Sequence, residues 1–441
     1  MKKVFLMSLG CSRNLVDSEV LEGVLKKSGF LSVDSPEKSD IAIVNTCGFI
    51  RDAKDESINA VLQLAELKKR GKIKNLIVMG CLSQRYPSEI FSKITEIDAV
   101  FGTSDLKKIP GYLARMSGKR VLSVSKAPGF ILTHKDKRVY RTPKHYVYLK
   151  IQEGCSNRCS YCVIPSIRGP LRSRPVTSVL KEAGNIMSDK NVKEIVVIGQ
   201  DIGAYGIDKG KNNALAGLVR ELDGIVKGEK WIRLLYMHPA NITGELMNAI
   251  ASSNSVLRYV DVPVQHINDR ILGKMDRRVG SRDIRKLLTE LRERLPGVIL
   301  RTSVIVGFPG ETEKEFSELI DFLEAARFDR LGAFMYSREE GTKAFGYGAQ
   351  VTSKKKKERF DKVMTLQQKI SRENNMGLIG RTLRVIVDEK EGNDYAGRSY
   401  MDAPEVDGGV YIRSRKALRT GDFVDVKVTG ATEYDLDGEA A

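Results

Sequence analysis

Over the first 140 residues, short apolar runs alternate with stretches whose apolar residues recur every three or four positions. The runs KVFLMSLGC, DIAIVNTC and NLIVMGC have the length and continuous apolar character of buried parallel strands. Between the first two, VDSEVLEGVLKKSG puts Val16, Val20, Leu21, Val24 and Leu25 on one helical face and stops at Gly29. DESINAVLQLAELKKRG repeats the device, with Ile58, Val61, Leu62 and Ala65 on one face and Gly71 behind. Strand, helix, strand, helix predicts an open parallel α/β domain over 1–140. No pattern of comparable clarity follows until about residue 145, and RMSGKR and LTHKDKRVYRTPK read as basic surface and linker.

The alternation resumes from 146 to about 345 with six strand-like runs: YVYLKIQ, EIVVIG, IRLLYM, RYVDVPV, VILRTSVIVG and RLGAFMYS. Helical segments separate them, which predicts a partial or complete (β/α) barrel whose chemistry sits on the loops after its strands. SKKKKERFDKVMTLQQKISRENN then reads as one exposed amphipathic helix with Phe360, Val363, Met364 and Ile370 on its buried side. From 378 onward LRVIVDEK, GRSYM, GGVYIRS and DFVDVKVTG are short strands separated by Gly and Asp, the pattern of a small antiparallel β-barrel. The fold class is α/β, with three domains at 1–140, 141–375 and 376–441.

Charge refines this. The net +17 of the 441 residues favours an anionic or ribonucleoprotein neighbourhood. Residues 381–441, however, carry nine Lys and Arg against thirteen Asp and Glu, so the C-terminal part is net negative. No run has the eighteen or so apolar residues of a membrane span, and MKKVFLMSLGC reads as a first strand rather than a lipoprotein signal. A cytoplasmic, reducing compartment is expected, in which six cysteines are metal ligands or reactive thiols rather than disulfides.

The cysteines carry the chemistry. EGCSNRCSYC places Cys155, Cys159 and Cys162 on the loop after the first barrel strand, one thiol short of a closed structural metal site. Three thiolates in this spacing can hold three irons of a 4Fe-4S cluster and leave the fourth open to a small chelating molecule. The alternatives are a zinc site with a fourth ligand elsewhere, or three unrelated buried thiols. Cys11, Cys47 and Cys81 each end one of the three N-terminal strands. In a parallel sheet the carboxyl ends lie along one edge, so these thiols converge there as ligands of a second open cluster.

The C-x-x-x-C-x-x-C spacing resembles that of the radical S-adenosylmethionine (SAM) superfamily, in which SAM fills the open iron position. With the second triad and the C-terminal strands, the whole chain resembles the methylthiotransferase family, whose members end in a TRAM domain. The resemblance implies two 4Fe-4S clusters and SAM used twice, once to methylate a sulfur at the N-terminal cluster and once to generate a radical that abstracts hydrogen. Radical chemistry is what an unactivated C–H bond requires. A low-potential electron donor of flavodoxin or ferredoxin type is implied as a partner. Sulfur insertion without methylation and a non-catalytic iron-sulfur sensor or assembly factor are the competing readings.

Other residues carry weaker signals. Tyr161 packs on an adenine or simply in the core, and VIVGFPGET, with Gly307, either brings backbone close to SAM or makes a structural turn. Gln200 and Asp201 follow the second barrel strand, Gln265 and His266 the fourth, and Arg301 lies on the fifth, placing them as candidate SAM or substrate contacts. His238 is an alternative contact or a turn residue. Two branches of the family differ in substrate: tRNA adenosine, or an aspartate β-carbon in protein twelve of the ribosomal small subunit. GCSRNLVDSE, PVQHINDRIL and APEVDGGVYI resemble the second, with the free protein or the assembled ribosome as partner. Ser12 and Arg13 stand where that branch usually has proline and lysine, a departure expected to touch no ligand. The acidic tail argues the same way, since gripping RNA requires cations, whereas a basic protein loop complements it.

Overall fold

In the computed structural model, which describes residues 1–116 and 118–441, three sheets follow one another along the chain. The first contains β1 (Lys3–Ser8), β2 (Leu31–Ser32), β3 (Ile41–Thr46), β4 (Asn75–Gly80), β5 (Ala99–Phe101) and β6 (Val121–Ser123). Its order is β2-β1-β3-β4-β5-β6 and every pairing is parallel. β3 is IAIVNT and wholly buried, as a central strand covered on both faces must be. α1 (Ser12–Lys27) buries Val16, Val20, Leu21 and Leu25 as expected. α2 (Arg51–Lys69) buries Val61 and Ala65, but Ile58 and Leu62 are 39% and 48% exposed. They face a wide groove of 1390 Å³ shared with Phe334 and Met335, so the predicted apolar face is only partly used against the sheet. The stretch in which no clear pattern was read holds β5, a helix at Ile109–Ala114 and β6. Strands of three residues offer too few positions for a periodic signal and form because β4 offers a free edge.

The second sheet is built from β7 (Tyr146–Lys150), β10 (Glu194–Ile198), β11 (Trp231–Leu234), β12 (Val256–Asp261), β13 (Ile299–Val306) and β14 (Arg330–Met335), while β8 (Gln152–Glu153) and β9 (Arg172–Ser173) form a small hairpin beside it. The six strands match the six apolar runs and stand in sequential order, all parallel, with β7 and β14 at opposite edges. This is an open half-barrel. The long helix Ser353–Met376 buries Val363 and Ile370 and half-buries Phe360 and Met364 against its last strands.

β15 (Thr382–Glu391), β16 (Asp394–Ser399), β17 (Val410–Arg413), β18 (Phe423–Ala431) and β19 (Leu436–Ala440) close into a five-stranded barrel. The expectation of an all-antiparallel barrel is corrected at one seam: β19 pairs parallel to β17 and antiparallel to β18. β19, with the sequence LDGEA, carries little strand propensity. It is held because closure needs a partner for both edges.

The small barrel plugs the floor of the half-barrel. Contacts come from side chains along the large strands. Tyr146 Oη and Tyr148 Oη donate to the Glu405 carboxylate at 2.7 and 3.1 Å, and Tyr259 Oη to Asp407 Oδ2 at 2.5 Å. Arg233, fully buried, pairs with Glu194 at 2.7 Å and donates to the Tyr400 carbonyl at 2.9 Å. Arg398 reaches the same Glu194 at 2.7 Å, and Arg330 pairs with Asp402 at 2.5 Å. Trp231 and Phe423 meet edge to face at 5.1 Å. With the floor closed, the carboxyl ends of the strands remain as the face for chemistry.

Candidate active site

Cys11, Cys47 and Cys81 follow β1, β3 and β4, which are adjacent in the sheet, so the three thiols meet at one edge. A glycine beside each makes room. A Cβ on Gly10 would stand 2.7 Å from Cys47 Cβ, and one on Gly48 2.7 Å from Leu82 Cα. One on Gly80, whose φ is +101°, would stand 2.4 Å from Asn45 Oδ1. The scaffold beneath is tied by Asn14, whose Nδ2 donates to the carbonyls of Leu9, Asn45 and Thr46 at 2.7, 3.3 and 3.2 Å. Thr46 Oγ1 donates to the Met79 carbonyl at 2.6 Å. The backbone just ahead of all three cysteines is thereby locked together.

The second triad sits on the loop after β7 and β8. Cys155 N donates to the Gly169 carbonyl at 3.1 Å and Cys162 N to the Cys159 carbonyl at 3.0 Å. Ser160 N and Oγ bond to the carbonyls of Met275 and Lys274. Asn157 Nδ2 donates to Asp201 Oδ2 at 2.6 Å. All six cysteines are free thiols. The two triads are neighbours: Cys81 packs with Val163 and Ile167, residues of the segment that follows Cys162.

Burial is the largest influence on most of these thiols. It pushes Cys81 and Cys155 up to about 11 and Cys162 up to about 12, and it raises Cys47. Neighbouring thiols add to this, because ionising one opposes ionising the next. At Cys11 burial also opposes ionisation, but Arg13, the Asn14 backbone N–H and Arg168 together bring the thiol down to about 7. Metal binding at Cys47, Cys81, Cys155 and Cys162 would have to displace protons. Among the described residues no three Cys, His, Asp or Glu side chains converge on a single-ion site. Three soft thiols on a shared face, each able to take a different iron, fit a polynuclear cluster.

Two arginines were not read from the sequence as site residues. Arg13 was expected to touch no ligand, whereas it contacts Cys11, one of the candidate ligands. Its guanidinium lies beside the Cys11 thiol and within the field of Cys162, stacks 4.3 Å over the Tyr236 ring and donates to the Gly199 carbonyl at 2.9 Å. Arg168, on the short helix Ile164–Arg168 after the second triad, donates to Cys81 Sγ at 3.3 Å. Adjacency to Cys11 was the one available signal for Arg13, while Arg168 had none, because its partner lies 87 residues away.

The other predicted residues divide. Gln200 donates to Glu153 Oε1 at 2.7 Å, and its Oε1, like that of Gln265, is buried without a partner. Gln265 also has φ +70° and bridges Val304. Asp201 is committed to Asn157, to Asn241 at 2.7 Å and to the His238 N–H at 2.9 Å, so it orients the cysteine loop. Its carboxyl is pushed up by burial. Tyr161 packs in the cluster of Ile271, Met275, Phe308 and Tyr336, with Arg277 Nη1 3.5 Å from its hydroxyl. Arg301 lies toward the floor, paired with Asp261 at 3.1 Å and Asp407 at 3.4 Å. At Gly307, φ +70°, a Cβ would stand 2.3 Å from Lys356 Cγ, so this turn meets a side chain of the long helix. His238 serves its own turn, Nδ1 accepting from the Ala240 N–H at 3.1 Å. His266 Nδ1 accepts from the Asn268 N–H at 3.0 Å.

The acidic tail is less available than its net charge implied. Asp388, Asp402, Glu405 and Asp407 are spent against His145, Arg398, Arg330, Tyr146, Tyr148, Arg301 and Tyr259. Those charges hold the two barrels together.

An open parallel half-barrel with a three-cysteine loop after its first strand, beside a second triad on an α/β sheet, defines a radical SAM enzyme with two cysteine sites. Residues 149–323 match the model of the Radical SAM superfamily, 379–441 that of the TRAM domain and 3–102 that of Uncharacterized protein family UPF0004. The chain is 44% identical over 440 residues to the ribosomal protein uS12 methylthiotransferase RimO of Thermoanaerobacter sp. (strain X514), covering 100% of both. It is 45% identical to that of Pelotomaculum thermopropionicum over 99% of each. The chain belongs to the RimO family of radical SAM methylthiotransferases. Among solved structures, the radical SAM methyltransferase TsrM from Kitasatospora setae shares the fold with TM-score 0.55 at 15% identity, over 76% of this chain and 73% of that one. The cobalamin-dependent radical enzyme OxsB does so with TM-score 0.54 at 15% identity, over 84% and 56%.

Proposed function

We propose that this protein installs a methylthio group on the β-carbon of an aspartate in protein uS12 of the ribosomal small subunit. The observation that carries the reading is the pair of cysteine triads on neighbouring segments of a chain that matches RimO relatives end to end. Cys155, Cys159 and Cys162 would hold one 4Fe-4S cluster and Cys11, Cys47 and Cys81 the other. Bound there, these groups and SAM supply methyl transfer to a cluster-held sulfur, then radical hydrogen abstraction and C–S bond formation. The protein's own residues fix the geometry. Asp201 holds the second cysteine loop through Asn157, and the unpaired buried Oε1 atoms of Gln200 and Gln265 are open to SAM or substrate donors. A flavodoxin- or ferredoxin-type donor would supply the electron.

We set the domain limits at 1–140, 141–375 and 376–441, a division supported by the three large sheets. We place its action in the cytoplasm. Among the described residues no helix is long and apolar enough to cross a membrane.

The test is to give the anaerobically reconstituted protein SAM, reductant and sulfide, together with a peptide spanning the uS12 target loop and unmodified tRNA. Mass spectrometry should find a methylthio group on the peptide aspartate. Methylthio-adenosine in the tRNA with an unmodified peptide overturns the assignment.

A further inference from the structure

Arg168 belongs to the barrel by sequence but to the N-terminal triad by contact. It is 3% exposed. Nη2 donates to Cys81 Sγ at 3.3 Å and to Asn14 Oδ1 at 3.0 Å, while Nη1 lies 2.5 Å from Asp17 Oδ2 and 3.5 Å from Glu153 Oε1. Asn14 is the residue whose amide ties the backbone ahead of Cys11 to that ahead of Cys47. One guanidinium thus reaches one thiol directly and the frame of the other two through a single side chain.

The surrounding charges are arranged around it. Lys150 on β7 pairs with Asp17 at 2.5 Å and Glu153 at 2.7 Å, all buried. Two cations and two anions balance, so the group is tolerated in the core before any cluster is considered. Asp17 comes from α1, and Lys150, Glu153 and Arg168 from the barrel side, so the network also joins the two regions. Within it, Arg168 is the member that contacts sulfur. An N–H donated to a cluster sulfur, backed by a positive charge, stabilises the more negative reduced state and raises the reduction potential.

We propose that Arg168 is a positioning residue of the N-terminal cluster, holding it against the barrel and raising its reduction potential across the domain boundary. This rests on Cys11, Cys47 and Cys81 being the ligands of that cluster.

The test uses the full chain with Cys155, Cys159 and Cys162 replaced by Ala, leaving one cluster, and follows its reduction by electron paramagnetic resonance. A parent protein lacking the 4Fe-4S signal refutes the ligand reading, separately from the role of Arg168. In a parent that has it, Arg168→Gln should retain iron and shift the reduction equilibrium about tenfold toward the oxidised form, about 59 mV for one electron. Arg168→Lys, which keeps the charge, should recover part of the shift. Asp17→Asn, which removes the anion nearest Arg168, should shift it the opposite way. Unchanged potentials with iron retained overturn the proposal. If Arg168→Gln loses its iron, the sign of the Asp17→Asn shift decides, and loss of iron in both reduces Arg168 to a structural role and overturns the tuning.

Discussion

At Gly80 a missing side chain decides whether Cys81 can reach its place. Its φ of +101° is strained for any L residue, and a Cβ would meet Asn45 Oδ1 at 2.4 Å and the Thr46 carbonyl at 2.6 Å. Those are the atoms just ahead of Cys47, so an added methyl pushes Cys81 away from its neighbours. Gly80→Ala should cost about 2 to 3 kcal/mol from strain and overpacking and halve the iron bound after reconstitution. Thermal unfolding and iron determination check both, and full iron content would show the site tolerates the displacement. Gly10 and Gly48 act by the same close approach. The pattern SLGC, TCG and MGC was visible in the sequence. What each glycine avoids was not, because the obstructing atoms come from other strands.

The turn between β12 and the helix Asp269–Lys274 shows how an element imposes a protonation state. His266 is fully buried, and its Nδ1 accepts the Asn268 N–H, so a proton there would break the turn. Burial chiefly, with Arg359 and Arg270 adding to it against Glu315, lowers the imidazole from 6.5 to about 3. Its folded value lies below its unfolded one, so its stabilisation is complete above about pH 6.5 and is lost as pH falls toward 3. The loss is about 1.4 kcal/mol per pH unit within that window. Urea unfolding at pH 6, 5 and 4 should give a slope about one proton smaller in His266→Asn than in the parent; equal slopes would contradict a neutral native imidazole. Element prediction itself worked where runs were long. The six half-barrel strands and α1 were legible from their apolar spacing. β5, β6 and β19 were not, since each is short and forms by completing an edge. Ile58 and Leu62 kept helical spacing yet face the groove, because periodicity gives a face but not what covers it.

Across the whole molecule one apolar core runs from Val4 and Leu6 through Tyr146, Tyr148, Trp231 and Tyr259 to Val385 and Val428, joining all three sheets. The polar seam beside it is where acidic tail residues meet the half-barrel floor. Asp407 there accepts Tyr259 Oη and the Ala403 N–H and faces Arg301. Asp407→Ala leaves a buried arginine and phenol short of a partner and should cost about 3 kcal/mol, read as a lower denaturation midpoint with the circular dichroism spectrum retained. A loss below about 0.5 kcal/mol would mark the pair as dispensable. The order of α/β sheet, half-barrel and small barrel was legible in the sequence because apolar period is a local quantity, and the two cysteine triads proposed as cluster sites were legible from one local spacing and from a cysteine closing each of three parallel strands. Only the tertiary structure decided that Arg13 and Arg168 stand among the thiols, that Asp201 and Arg301 are engaged by other side chains, and that the tail's acids fasten a floor. Those outcomes depend on which charges meet when distant segments are buried together, and burial makes each charge's partner, more than its sign, decide its role.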